Sequence, residues 1–234
     1  MGKRGPKPRE QVSIKWSSEF AYAIGLITTD GCLSGDGRHI EFNSKDKELV
    51  YTFRRCLNLK NITIGRKTSG YTGRRDYYRV QFGDVHFYNW LKTIGLTPHK
   101  SKTLGQLKIP QRYFFDFLRG CFDGDGSIYS YWDPRWHSSY MFYIGFTSAS
   151  LPHLQWLKES IEKLSGIPGK IKTGARSYQL MYAKKSSRAL FERMFHKKDV
   201  PCLKRKFTKA KKIFEIDNLH STNADVAELV YAYG

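Results

Sequence analysis

In the first half of the chain, apolar residues follow helical and strand periodicities. Helices are predicted at both ends of this half and in its middle, over residues 18–30, 46–59 and 84–95. Between them, period-2 alternation predicts two hairpins, over residues 32–44 and 61–83, each with a glycine-containing turn. The first half therefore predicts the element order αββαββα.

The same order of elements recurs in the second half. It is predicted as a helix over 111–123, a hairpin over 127–148, a helix over 150–166, a hairpin over 169–183 and a helix over 186–195. A basic helix that begins near Leu203 follows the last of these. The recurrence indicates an internal duplication with pseudo-twofold symmetry.

Two αββαββα units predict an α+β fold in which each unit forms an antiparallel four-stranded sheet with one buried and one exposed face. The chain is interpreted as a basic flexible tail (1–13), an N-terminal half (14–104), a C-terminal half (105–217) and a C-terminal appendage (218–234).

The charge of the chain limits its partners. It has 40 Lys and Arg residues against 21 Asp and Glu residues, a formal net charge of +19. This excess favours a polyanionic partner, with nucleic acid ahead of an anionic membrane, and no apolar run is long enough to span a bilayer. The four cysteines are isolated, which predicts neither a zinc site nor a disulfide framework and indicates an intracellular setting.

The candidate catalytic residues lie at the ends of the two repeated helices, at Asp30-Gly31 and Asp125-Gly126. Small residues recur on each helix at a spacing that allows two helix backbones to approach closely: Ala21, Gly25, Gly120 and Gly124. Packing of the helices side by side would make the two carboxylates neighbours at helix C-termini, where negative charge is unfavourable. A divalent cation such as Mg²⁺ would resolve this conflict, and a metal on a basic surface suits phosphodiester hydrolysis.

The two helix endings carry a family resemblance. AIGLITTDG (23–31) and LRGCFDGDG (118–126) resemble the two copies of the signature of LAGLIDADG homing endonucleases of the single-chain, two-motif type, and the matching element order extends the resemblance over residues 15–216. It implies a pseudo-twofold saddle whose two sheets lie in the major groove of a long asymmetric DNA site. It also implies that Asp30 and Asp125, with Gly31 and Gly126 beside them, hold Mg²⁺ or another divalent cation such as Mn²⁺.

The resemblance implies further roles around the cleavage centre. A basic residue after the last helix of each half is expected to polarise it. Lys100 and Lys204 are the best matches, with Lys102 and Lys206 as close rivals.

Two positions depart from the family pattern, one on the second strand of each half and one within the signature. A glutamine is frequent near the end of the second strand, where this chain has Glu41 in one half and Gly145 in the other, and Glu41 is retained as a catalytic candidate. The sixth signature position is Thr28 in one copy and Asp123 in the other, so Asp123 is not expected to be an essential ligand.

Base contacts are expected from exposed strand residues with long polar side chains, because Arg and Gln suit the edges of guanine and adenine. These candidates are Arg38, Arg66, Arg75, Arg79, Gln81, Lys172, Arg176 and Gln179. The aromatic cluster that includes Tyr129 and Tyr131 is interpreted as packing within the long hairpin, with stacking on DNA as the alternative.

The resulting hypothesis is a site-specific, metal-dependent endonuclease that makes double-strand breaks in DNA and acts as a monomer with genomic DNA, in a prokaryotic cytoplasm or an organelle. One alternative is an intron maturase, for which intron RNA would be a further partner. The other alternative is a catalytically silent DNA-binding regulator on the same fold.

Overall fold

The computed structural model of the chain describes residues 10–68, 73–74 and 76–232, and residues 137–138 and 221–232 by their backbone alone. Two predicted features lie outside the described residues: most of the predicted tail (1–13) and the base-contact candidate Arg75. The end of that tail packs against the first half: Val12 is buried, and the Gln11 side chain donates to the Gly83 carbonyl at 2.8 Å. The prediction of a free tail is therefore wrong for these residues.

The N-terminal half has the predicted order of elements. They are α1 (Ser18–Thr29), β1 (Gly31–Leu33), β2 (His39–Ser44), α2 (Lys47–Cys56), β3 (Gly65–Lys67), β4 (Tyr77–Gly83) and α3 (Val85–Thr93). The Ser17 hydroxyl caps α1 by accepting from the Phe20 amide at 3.1 Å, and the Asp84 carboxylate caps α3 by accepting from the Phe87 amide at 2.9 Å.

The C-terminal half repeats that order after a 3₁₀ turn at Gln111–Tyr113. Its elements are α4 (Phe114–Asp123), β5 (Gly126–Asp133), β6 (Trp136–Ser148), α5 (Leu151–Ser165), β7 (Lys170–Thr173), β8 (Tyr178–Ala183) and α6 (Lys184–Met194). A last helix, α7, runs from Lys204 to Ala232. The backbone of the segment predicted as an appendage from residue 218 continues this helix.

Each half forms one antiparallel four-stranded sheet, with the order β1-β2-β4-β3 in the first and β5-β6-β8-β7 in the second. The identical order confirms the duplication and the α+β class. Both sheets bury one face, as the alternation predicted: Ile40, Phe42 and Val80 are buried, whereas Gln81 is exposed.

The two halves meet along α1 and α4. Every residue of α1 from Phe20 to Thr28 is buried, so this helix is enclosed on all sides. The Arg119 guanidinium on α4 is fully buried, is paired with Asp116 at 2.8 Å and donates to the carbonyls of Pro201 and Met194 at 2.9 and 2.6 Å. This ion pair with carbonyl partners anchors the segment after α6 to the central helix pair.

Candidate active site and nucleic-acid interface

The glycines of the central helices determine how the helices pack. A Cβ atom at Gly25 would lie 2.2 Å from the Phe117 carbonyl oxygen, and one at Gly120 would lie 2.1 Å from the Tyr22 carbonyl oxygen. The two helix backbones are thus in contact at the predicted small residues, and the buried Ala21 lies on the same helix. Only glycine fits at such an approach.

The close packing brings the two signature ends together. A Cβ atom at Gly124 would lie 2.8 Å from Asp30 Oδ2, so the end of α4 lies against the carboxylate that follows α1. Asp30 ends α1 as its C-cap, and its backbone amide donates to the Leu26 carbonyl at 3.0 Å. Asp125 follows Gly124 directly, so the carboxylates of the two halves are neighbours.

The electrostatics of the pair follow from crowding and like charge. Burial, and then the charge of Asp125, raises the pKa of Asp30 from 3.8 to about 7, against the opposing effect of two lysines, Lys206 and Lys100. Burial also raises the pKa of Asp125, although its side chain is the more exposed of the two. Ionising both carboxylates is therefore costly without added positive charge.

Two buried lysines supply positive charge at this place. Lys100 Nζ donates to the Gly31 carbonyl. The three N–H groups of Lys206 Nζ are shared among four carbonyls of the α4–β5 connection, including those of Phe122 at 2.7 Å and Gly126 at 2.6 Å. Burial lowers the pKa of both amines, that of Lys206 to about 8. Each lysine thus holds the turn that presents one aspartate.

Lys204 does not occupy the position expected of it. It is exposed at the start of α7, as is Lys102 in the turn after Lys100. Within the described residues, Lys206 is the counterpart of Lys100 beside the carboxylates. Of the two candidates for the C-terminal half, the rival Lys206 and not Lys204 lies beside the carboxylates, because the first turn of α7 directs residue 206 inward; the role of either lysine in catalysis stays a prediction.

The donor set is compatible with one hard divalent cation held by few protein ligands. Among the described residues, no group of three or more His, Cys, Asp and Glu side chains could hold a metal. Two carboxylates with raised pKa values suit Mg²⁺, because proteins often hold this ion with one or two carboxylates and its other ligands are water molecules and phosphate oxygens. The carbonyls of Gly31 and Gly126 accept from Lys100 and Lys206, so the predicted part of these glycines in holding the cation stays a prediction.

Asp123 belongs to the packing of the helix pair. It is buried, and its Oδ2 accepts from the Tyr22 hydroxyl and from the Leu203 amide, both at 2.7 Å. Thr28, its counterpart, donates to the Ile24 carbonyl of its own helix at 2.8 Å. These bonds agree with the expectation that Asp123 is not an essential metal ligand.

Glu41 lies on the exposed face of the first sheet in a row with Cys32 and Gln81. Its carboxylate is paired with Lys67 and lies 3.6 Å from Arg79 Nη1. Gly145, its counterpart, lies between Ser127 and Met181. Glu41 therefore neutralises two cations of the sheet, and its predicted catalytic role stays a prediction.

The exposed face of the first sheet carries two of the predicted base-contact residues, Arg79 and Gln81, and Arg38 is exposed beside the start of β2. These side chains offer the polar chemistry that a major groove accepts. Arg66 does not share this face: it pairs with Tyr78, on the side of the sheet that also carries the buried Val80, and stacks over the Tyr78 ring at 3.9 Å.

The second sheet presents a different surface. Lys172, Arg176 and Gln179 are exposed at its far edge, as predicted. Nearer the centre, Tyr143 stacks with Tyr129 and Tyr131, at ring centroid distances of 5.4 and 6.1 Å. Tyr129 and Tyr131 remain 39% and 43% exposed, so they pack on Tyr143 and still face solvent. Sequence reasoning missed Tyr143, although its position opposite Tyr129 follows from the pairing of β5 with β6.

In the described part of the chain, no helix is both long and apolar enough to cross a membrane. The basic surfaces therefore belong to a chain without a recognisable membrane helix in those residues.

Comparisons with known proteins agree with this architecture. The model of the LAGLIDADG-like domain matches residues 17–95. No curated protein matches the sequence.

Three solved structures illustrate the likeness of the fold. The LAGLIDADG meganuclease I-AabMI bound to uncleaved DNA is 11% identical, with a TM-score of 0.59 over 87% of this chain and 92% of that one. The homing endonuclease I-WcaI bound to its DNA recognition sequence is 14% identical, with a TM-score of 0.56 over 82% and 88% of the two chains. The N-terminal LAGLIDADG domain of DUF199/WhiA is 16% identical, with a TM-score of 0.51 over 79% and 86%.

The sequence identity to these structures is low, so the comparisons show a shared fold alone. The signature is nevertheless present twice, its first copy lies within the matched domain, and both halves have the same strand order. Residues 17–95 thus match a LAGLIDADG-like domain, and the chain as a whole has the fold of the LAGLIDADG structures, with two copies of the signature in one polypeptide.

Proposed function

We propose that the chain is a site-specific DNA endonuclease that uses a divalent cation to make a double-strand break at a long asymmetric target. The observation that carries this proposal is the pair Asp30 and Asp125, which lie at adjoining helix ends and whose pKa values are raised by burial. If Asp30 and Asp125 served only packing, replacing one of them with a neutral residue would make the folded protein more stable, since like charges at helix C-termini are unfavourable.

In this proposal Asp30 and Asp125 hold the cation, which when bound supplies Lewis-acid stabilisation of the phosphate charge and lowers the pKa of attacking water. Lys100 and Lys206 fix the turns that carry the two carboxylates and offset part of their negative charge. Because the pKa of Lys206 is about 8, its amine can also hold or release a proton near neutral pH.

The exposed sheet faces would position duplex DNA over this centre. The net charge of +19 would steer the duplex toward the protein, and Arg38, Arg79 and Gln81 would contact base edges. One chain supplies both halves of the interface, so we expect a monomer to be the active species, acting where genomic DNA is present.

The test is cleavage of DNA that carries the uninterrupted sequence of the insertion site of the gene, with and without Mg²⁺. Wild type is compared with Asp30→Asn and Asp125→Asn, and with Glu159→Gln, which removes an exposed carboxylate on α5, as the matched control. We expect metal-dependent double-strand cleavage in wild type and in the control, and a loss of at least about 100-fold in each aspartate variant.

Two other results would redirect the proposal. Specific binding without cleavage, unchanged by either aspartate substitution, would contradict catalysis and leave a regulator or a maturase. Cleavage that persists without Asp30 and Asp125 would place the active centre elsewhere.

A further inference from the structure

A second basic surface lies away from the exposed sheet faces. It is a groove of about 1360 Å³ between α2 and the segment from the end of α6 into the first turns of α7. Its lining residues come from helices and loops, and among the described residues none belongs to a strand. The groove is therefore separate from the sheet faces that the proposed endonuclease would lay on duplex DNA.

The walls of the groove combine cations with aromatic rings. The cations that line it are Arg54, Arg55, Lys60, Lys197, Lys198, Lys204 and Lys211, against the acids Glu48, Glu192 and Asp199. The half-buried rings of Phe195 and Phe207 lie 5.0 Å apart at its base. The excess of positive charge favours an anionic occupant.

Tyr51 gives the groove a stacking surface. Its ring is 46% exposed on α2, with Lys47 Nζ and the Arg54 guanidinium at 5.5 and 5.7 Å from the ring centroid. An exposed ring flanked by cations is the arrangement by which proteins bind single strands, since a base can stack while the adjacent phosphates meet the cations. An acidic peptide would satisfy the cations but has no flat group that requires this ring.

The equivalent space in the other half is closed by the chain itself. There the linker after α3 lies against the start of α5: Ser150 donates to the Leu104 carbonyl, and His153 lies 3.0 Å from the Gly105 carbonyl oxygen. On the α2 side, the only comparable bridge among the described residues is the bidentate pair of Arg205 with Asp46, at 2.7 and 3.0 Å, at one end of the groove. The opening is thus a departure from the pseudo-twofold symmetry.

We propose that this groove binds single-stranded nucleic acid, with phosphates on the cations of α7 and of the α6–α7 loop and with a base stacked on Tyr51. This activity goes beyond the proposed endonuclease and does not depend on it.

The test uses fluorescein-labelled U12 RNA and dT12 DNA, with anisotropy measured in EDTA at several salt concentrations. The groove variant is Lys197→Ala/Lys198→Ala/Lys211→Ala. The matched control, Lys92→Ala/Lys108→Ala/Lys163→Ala, removes the same charge from exposed positions outside the groove. We expect the groove variant to bind at least about tenfold more weakly, with the slope of log K against log salt reduced by about 2, since each phosphate contact contributes about 0.7. The control should change affinity less than about twofold.

The stacking contact has its own variants. Tyr51→Ala should weaken binding by about fivefold or more, whereas Tyr51→Phe should restore it, because only the ring is needed. Because Tyr51 is 46% exposed on α2, we expect folding to be unaffected, as a melting curve checks. A preference for U12 over dT12, or the reverse, identifies which single strand the groove serves.

The proposal would be overturned by three results. The first is an equal loss of affinity in the groove and control triples. The second is stoichiometric displacement of the labelled strand by an unlabelled 30-bp duplex, which would mean a shared site on the sheets. The third is competition by a (Glu)12 peptide at lower concentration than by unlabelled U12 and dT12, which would identify an acidic peptide as the occupant. Since all arms omit metal, failure of the endonuclease assay would not alter them.

Discussion

Replacement of Asp30 by asparagine should stabilise the metal-free protein at alkaline pH. The pKa of Asp30 is about 7 in the folded protein and 3.8 in its ordinary state. The folded protein therefore prefers the protonated carboxyl, and the stability that this preference contributes is complete below about pH 4 and is lost as the pH rises to 7. Above pH 7 the folded chain carries the full cost of a crowded carboxylate beside Asp125. Asparagine keeps the shape of the side chain and cannot ionise.

The size of this effect follows from the shift. About three pKa units correspond to about 4 kcal/mol as an upper limit. The side chain is only half-buried, so solvent screening reduces the expected gain to about 2 kcal/mol. For a chain of this length, that gain corresponds to roughly 4–8 °C in melting temperature.

The assay is urea unfolding in EDTA at pH 4.5 and pH 8, followed by tryptophan fluorescence. We expect Asp30→Asn to exceed wild type by about 2 kcal/mol at pH 8 and by no more than about 1 kcal/mol at pH 4.5, where only the unfolded carboxyl is ionised. Asp125→Asn should give part of the gain, since the charge of Asp125 is the second cause of the shift at Asp30. Glu159→Gln is the control for loss of an exposed carboxylate. A gain that is equal at both pH values, or no gain at pH 8, would refute the argument from crowded charge.

Three further predictions concern the same centre. Mg²⁺ at 10 mM should raise the melting temperature of wild type more at pH 8 than at pH 5, because the carboxylates must be ionised to hold it, and Asp30→Asn should lose most of this shift. Lys206→Met should destabilise by about 2 kcal/mol in urea unfolding because it leaves buried carbonyls without a donor, whereas Lys204→Met should change stability by less than about 0.5 kcal/mol. The reverse order would contradict the placement of Lys206 beside the carboxylates. Gly120→Ala should cost about 2–3 kcal/mol by thermal unfolding because its Cβ would meet the Tyr22 carbonyl oxygen at 2.1 Å, whereas Gly105→Ala, where a Cβ meets nothing within 4 Å, should be near neutral.

The central part of the fold could be predicted because its signals are local and repeated. The helix ending at Asp30 is written again at Asp125, and small residues at helical spacing predict close packing wherever two such helices meet. The long hairpin was harder. Its strand β6 begins at Trp136, ahead of polar residues that interrupt the apolar alternation. Trp136 pairs with Asp133 and Tyr140 pairs with Trp132, so the register shifts across these polar residues, and the local pattern contains no sign of that shift.

The groove beside α2 could not be predicted from the sequence. Its walls come from segments about 150 residues apart, and Arg205 with Asp46 joins them through a contact that no local pattern records. From the sequence, the basic run after α6 is equally consistent with a solvated loop and with a binding surface. Only the tertiary fold places Tyr51 opposite this run.

The choice between Lys204 and Lys206 was within reach of sequence reasoning. Leu203, Ala210 and Ile213 are buried at intervals of seven and three residues, which is the spacing of one face of a helix. Lys206 falls on that face and Lys204 does not, so the apolar stripe of α7 already identifies the lysine that points inward. Matching the motif after Pro201 to the motif after Pro98 by residue order obscured this, because Lys100 lies in a turn while Lys206 lies within a helix. Where two halves of a duplication differ in local structure, the position of a functional side chain is better inferred from burial periodicity than from alignment of the repeats.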